Sequence, residues 1–205
     1  MGTNFRFLLS LALLGFCLLL PQPGQTAVHE PACFTLDGVA VNYLPFHSDD
    51  FSSPVARTDY FYNGPQIIYN ATLFEAVGEI AREIFYRHEC AHHELGHTML
   101  TFELRRGREV PMKYQTAEFQ RAGEDDADCE AGYRLRTSHP ETTVAEIEEA
   151  LIDVYRKRED VWISRVSEMS SAEQRRAATV AGCFEGRIAR PSCVDRYTDQ
   201  FDCRH

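Results

Sequence analysis

Arg87-His88-Glu89-Cys90-Ala91-His92-His93-Glu94-Leu95-Gly96-His97 contains the pattern H-E-x-x-H twice, at 88–92 and at 93–97. Two histidines four apart on a helix lie on one face, where their neutral imidazoles can share one Zn²⁺. The glutamate beside the first histidine then reaches water at that metal and acts as general base. Both copies cannot serve one ion. At about 100° per residue, His93 stands roughly 140° around the helix from His88, and His97 roughly 180°. The flanking residues choose between the copies. Ala81, Ile84, Phe85, His88, Ala91, His92, Leu95 and Met99 form one stripe at steps of three and four, so the first pair faces the interior. The face of the second copy continues toward Tyr86 and Thr101. We therefore take His88 and His92 as the metal pair and Glu89 as the base. His93 and His97 are expected to hydrogen-bond nearby carboxylates, and Glu94 to be a solvated helix residue.

A catalytic zinc usually takes three protein ligands and keeps a fourth position open. The third ligand is sought in Glu124-Asp125-Asp126-Ala127-Asp128. Glu124 and Asp128 are four apart and share a helix face, so Glu124 can bind the metal while Asp128 holds a ligand imidazole in its tautomer. Alone, such an acidic run reads as a solvated face. The H-E-x-x-H upstream gives it a second meaning.

The pattern around these two segments places strands early and helices late. Asp37-Gly38 is a strong turn signal between Phe34, Leu36 and the alternating Val39, Val41 and Tyr43, which predicts a hairpin over 33–44. Residues 45–58, rich in Ser, Asp and Pro, read as a loop, and Gln66–Tyr69 as a short strand. A helical period starts near Thr72, with an interruption at Gly78. Gly107 and Pro111 bracket a loop, and a second helix is expected over about 115–137. A third begins at Thr143, capped by Glu146 and burying Val144, Ile147, Leu151 and Val154; a fourth begins near Ser170 with Glu173 three residues on. The expected fold class is α+β, with a small early sheet, an active-site helix and a mainly helical C-terminal part.

The chain of 205 residues is 44% hydrophobic and 25% charged, an ordinary globular composition. A formal net charge of −10 argues against nucleic acid or an anionic membrane as main partner. Residues 1–27 read as a cleaved export signal. Arg6 is their only charge, Phe7–Leu20 is an apolar run too short to span a bilayer, and Pro21, Pro23 and Gly24 break it ahead of Ala27. Residues 28–205 then form one domain, periplasmic or secreted, with no stable membrane insertion after signal removal. They keep six of the seven cysteines, an even number suited to disulfides in an oxidising compartment.

Several pieces together resemble the gluzincin metallopeptidases, in particular their small CAAX-prenyl-protease-like and neutral zinc metallopeptidase branches. These are Ile67-Ile68-Tyr69-Asn70, then His88-Glu89-x-Ala91-His92-His93-x-Leu95-Gly96-His97, then Glu124-x-x-Ala127-Asp128-Cys129 followed by Ala131-Gly132. The resemblance spans about a third of the chain, residues 65–132. It implies a zincin-like fold with one catalytic zinc on His88, His92 and Glu124, Glu89 as base, and Asp128 behind a ligand imidazole. It also implies that Ile67–Tyr69 is the cleft-edge strand, which pairs with an extended peptide substrate. Such families often carry a later His or Arg that stabilises the oxyanion; His139, Tyr133, Arg134, Arg175 and Arg176 are the candidates.

Cys90 and Cys129 each sit beside a proposed site residue. A disulfide between them, clamping the two metal helices, is the expected pairing, and the disulfide-tied tail would use the others. Asn70-Ala71-Thr72 is a glycosylation sequon. The function expected is that of an exported zinc metallopeptidase acting on a peptide or protein substrate. The alternative is a non-catalytic, zinc-containing peptide-binding or envelope-assembly module on the same fold.

Overall fold

Residues Gly64–Asn70 (β3) are apolar and β-branched at their centre and form the middle of a three-stranded sheet. The computed structural model describes residues 30–50, 56–61, 64–105, 107, 110–159 and 164–191. The expected leader, Cys193 and Cys203 lie outside these residues. The strands Asn42–Phe46 (β1) and Ala56–Phe61 (β2) flank β3, β1 in parallel and β2 antiparallel. The predicted hairpin is present only as a tight turn. Thr35 donates its backbone N–H to Val39 and Val41 donates to Cys33, while Gly38 takes the positive φ of 81° that the turn requires. Tyr43 leaves that ladder and joins β1. The expected loop over 45–58 is shorter than predicted, because β1 runs to Phe46 and β2 starts at Ala56. The charges of Arg57 and Asp59 hide β2 in the sequence, as they commonly do on edge strands.

Six helices complete a mixed α+β fold that is mostly helical among the described residues: Ala71–Ala76 (α1), Glu79–Glu94 (α2), His97–Arg105 (α3), Ala117–Ser138 (α4), Val144–Glu159 (α5) and Ser171–Phe184 (α6). None is long and apolar enough to cross a membrane. Asn70 caps α1, its side-chain oxygen accepting from the N–H groups of Thr72 and Leu73, and its amide donates to the Ser48 carbonyl. It is 1% exposed, so in the folded protein the sequon is a helix cap and not a glycan acceptor. The capping boxes predicted at Thr143/Glu146 and Ser170/Glu173 both form. Ile147, Leu151 and Val154 of α5 meet Ile84 and Phe85 of α2 and Val180 of α6 in the main core.

One helix boundary changes the reading of the motif. The apolar stripe was expected to run unbroken from Ala81 to Met99. Instead α2 stops at Glu94, Leu95 caps it, and Gly96 takes a left-handed φ of 82° before α3 begins at His97. A glycine just past a helix end is the usual residue for that conformation.

The cysteines pair differently from the expected Cys90–Cys129 clamp. Cys33 bonds Cys90, and Cys129 bonds Cys183. Helices α2 and α4 do pack together, but Cys90 points to the far side of α2, into a cluster with Cys33, Val41 and Ile67. Cys129 faces α6. Each disulfide therefore fastens one motif-bearing helix to an outer element. At the α4–α6 crossing Gly132 lies so close that a Cβ there would fall 2.3 Å from the Val180 carbonyl oxygen.

Two measurements check this arrangement. Mass mapping of a non-reduced digest is expected to recover Cys33–Cys90 and Cys129–Cys183, and no Cys90–Cys129 peptide. Gly132→Ala is expected to lower stability by about 1–3 kcal/mol in chemical denaturation, the usual range for overpacking, because backbone must move to admit the methyl group.

Candidate metal-binding site

His88 and His92 stand one turn apart on α2, both buried, with ring nitrogens Nε2 3.2 Å apart. Glu124 approaches from α4. Its Oε2 lies 3.4 Å from Nε2 of His88 and its Oε1 3.5 Å from Nε2 of His92. These three side chains are the one group among the described residues whose spacing could hold a metal ion. The imidazoles are sealed from solvent while the Glu124 side chain is 51% exposed, so the cluster opens to water on the α4 side.

The other predicted residues surround this triangle. Asp128, one turn after Glu124, places Oδ1 2.7 Å from Nδ1 of His88, and the same oxygen forms an ion pair with Arg176, whose Nε lies 2.9 Å away. Glu89 is buried, and the backbone of Thr58 on β2 lies close enough to lower its pKa slightly against the effect of burial. The second motif copy does not form a metal pair. The break at Gly96 puts His93 on α2 and His97 on α3, so the two are not successive turns of one helix. His93 is fully buried; its Nε2 donates to the Gln66 carbonyl and faces the Thr58 hydroxyl, and Thr98 donates to its Nδ1. His97 places Nδ1 2.8 Å from Nδ1 of His92. In place of the carboxylate expected for His93 stand backbone and hydroxyl groups, and His97 meets an imidazole. Glu94, expected in solvent, pairs with Arg134 at 2.7 Å and is 22% exposed.

Burial and opposing charges set the protonation of the cluster. Burial and the Arg176 charge press the His88 imidazole down, but Asp128 and Glu124 outweigh them and hold its pKa up at about 9. Burial, with the neighbouring histidines and Arg176, keeps His92 neutral. Burial also lowers His93, to about 4. Glu89 is raised by burial, partly offset by His88 and Arg176. Glu124 is lowered: its desolvation is outweighed by the hydrogen bond and charge of His88 and by Arg176.

Of the five side chains considered for an oxyanion donor, Arg176 alone reaches the cluster among the described contacts. Its Nη2 lies 3.6 Å from Glu124 Oε2 and 3.5 Å from His88 Nε2. Tyr133 donates to the Ile188 carbonyl, Arg134 holds Glu130 and Glu94, His139 lies by Glu141, and Arg175 pairs with Asp125. The cleft-edge role expected for Ile67–Tyr69 does not hold. That segment lies in β3, which is paired on both sides and has no edge to offer; the edge strand beside Glu89 is β2. Thr58 left no signal in the sequence, being one hydroxyl in a polar stretch, whereas the break at Gly96 was legible as a helix-ending glycine. Comparison of the chain with protein-family models, curated proteins and solved structures found no match.

The purified protein is expected to bind one transition-metal ion per chain, measured by titration calorimetry and elemental analysis. His88→Ala and His92→Ala should each abolish tight binding, and Glu94→Gln should leave it unchanged. Binding that survives His88→Ala would move the metal away from this triangle.

Proposed function

We propose that the protein is an exported zinc metallopeptidase of the gluzincin type, on a zincin-like fold, that hydrolyses peptide bonds with Glu89 as general base. The observation that carries the proposal is the triangle of His88, His92 and Glu124 with a buried carboxylate, Glu89, next in the chain to one of its corners. The donor set fits zinc. Two imidazole nitrogens and a carboxylate suit that ion, and tetrahedral bonds of 2.0–2.1 Å put neighbouring donors about 3.3 Å apart. The two Nε2 atoms here are 3.2 Å apart, and each faces a different Glu124 oxygen, at 3.4 and 3.5 Å.

Zinc bound by these residues would supply Lewis-acid polarisation of the scissile carbonyl and of a water molecule. Glu89 takes a proton from the attacking water and delivers it to the leaving amine. Arg176 stays charged beside the cluster and donates to the carbonyl oxygen as negative charge develops there. Asp128 fixes both the tautomer of His88 and the position of Arg176. An extended peptide lies along β2, the edge strand next to Glu89. The position of Arg176 supports turnover over the alternative of a zinc-containing binding module, which needs neither a base nor an oxyanion donor. Export, to the periplasm or outside the cell, is supported by the apolar N-terminal run and by two disulfides.

Glu89→Gln separates metal binding from chemistry. The amide keeps the shape but cannot accept the proton, so the variant is expected to retain one zinc per chain while cleavage of a casein-like substrate falls roughly 10²–10⁴-fold. Chelator should abolish cleavage by the wild type. Equal activity in wild type and variant would end the peptidase reading.

A further inference from the structure

The second H-E-x-x-H copy is left without metal chemistry by the break at Gly96, yet both of its histidines are built into the molecule. His93 fastens α2 to the sheet through Gln66 and Thr58. His97 does something different. It meets His92 ring to ring, Nδ1 to Nδ1 at 2.8 Å, with centroids 5.0 Å apart and planes crossed at 65°. The same edge of its ring lies near Gly123 of α4, the residue before Glu124, where a Cβ would fall 3.6 Å from its Cε1 and Nδ1. His97 therefore touches the His92 ring and packs against α4 one residue before Glu124.

The two histidines of the first copy are held in unlike ways. Nδ1 of His88 faces the carboxylate of Asp128, while Nδ1 of His92 faces a second imidazole. Two Nδ1 atoms 2.8 Å apart need one proton between them. When Nε2 of His92 presents its lone pair to a cation, the ring's proton is on Nδ1 and points at His97. Nδ1 of His97 must then be the acceptor, with its own proton on Nε2.

We propose that His97 is a positioning residue. It accepts the Nδ1–H of His92, fixes that ring's rotation and tautomer, and so sets the affinity of the site for zinc without touching the ion. The second motif copy is in this sense the outer support of the first. The inference rests on the reading of His88, His92 and Glu124 as metal ligands. It also explains how the chain can carry the His92–His97 spacing of five, which no single helix face would bring together: the left-handed turn at Gly96 swings His97 back over the ring it supports.

The test compares the purified wild type with His97→Asn and His97→Phe. Asn returns an acceptor oxygen near the place of Nδ1; Phe returns the ring volume with no acceptor. Zinc dissociation constants are measured by chelator competition, and Co²⁺-loaded protein is read by its d–d absorption. Phe is expected to weaken zinc binding roughly 10–100-fold and to shift the cobalt spectrum, with Asn closer to wild type. A Phe variant with wild-type affinity, or an Asn variant as weak as Phe, overturns the proposal, since packing alone would then account for His97. Should either variant fail to fold, ¹⁵N-histidine spectra of the zinc-loaded wild type decide. The His97 ring is expected as its Nε2–H tautomer, and an Nδ1–H tautomer overturns the assignment. Failure of the wild type to bind zinc would remove the ligand reading itself, and this inference with it; zinc lost on His88→Ala but untouched in both His97 variants would remove this inference alone.

Discussion

One oxygen of Asp128 joins three helices. It sits on α4, receives His88 of α2 at 2.7 Å and Arg176 of α6 at 2.9 Å, and is buried. A buried carboxylate costs several kcal/mol in desolvation unless charged or hydrogen-bonded partners surround it. Here the opposing charges come from both neighbouring helices, so the carboxylate is electrostatically paired only when α2, α4 and α6 are docked together. The close approach of Gly132 to Val180 brings α6 near enough for Arg176 to arrive. The same contact that holds the helices thus orients one proposed ligand and places Arg176 beside the cluster.

Neither disulfide links α2 to α4 directly. Cys90 lies within the motif but on the reverse of α2, and its bond to Cys33 fixes the helix to the segment ahead of β1. Cys129 follows Asp128, and its bond to Cys183 fixes α4 to α6. A direct clamp between α2 and α4 would have required both cysteines on the faces that carry His88, His92, Glu124 and Asp128. The side chains of the cluster occupy those faces, which leaves the opposite faces for covalent staples.

Much of the site was legible because its residues obey helical periodicity. His88 and His92 continue the stripe of Ile84 and Phe85, and Glu124 and Asp128 are one turn apart, so local spacing alone placed each pair on a face. The helix caps at Thr143 and Ser170 were legible for the same local reason. What the sequence concealed depends on pairing between distant segments. β2 has the polarity of an edge strand and no apolar alternation, so it read as loop. The order β1-β3-β2, which makes Gln66–Tyr69 central, follows from long-range hydrogen bonds that no local pattern encodes. Arg176 could be named only as one of several cations, because which of them turns inward depends on the crossing of α4 and α6. The cysteine pairing failed on the same ground: α2 and α4 do pack together, but Cys90 and Cys129 turn away from their shared face, toward Cys33 and Cys183.

The break at Gly96 gives the repeated motif its logic. Had α2 continued as a straight helix, His97 would have stood roughly opposite His88, and Leu95 and Met99 would have extended one apolar face. A left-handed residue redirects the chain, and the histidine that begins α3 folds back onto the ring of His92. The repeat of H-E-x-x-H in the sequence is therefore not a repeat in space. One copy gathers donors around a point; the other, split by its own glycine, spends His93 on the sheet, Glu94 on Arg134, and His97 on the first copy. String similarity favoured the second copy, His-Glu-Leu-Gly-His, and backbone geometry decides against it, because a pair of ligands four apart needs an unbroken turn between them.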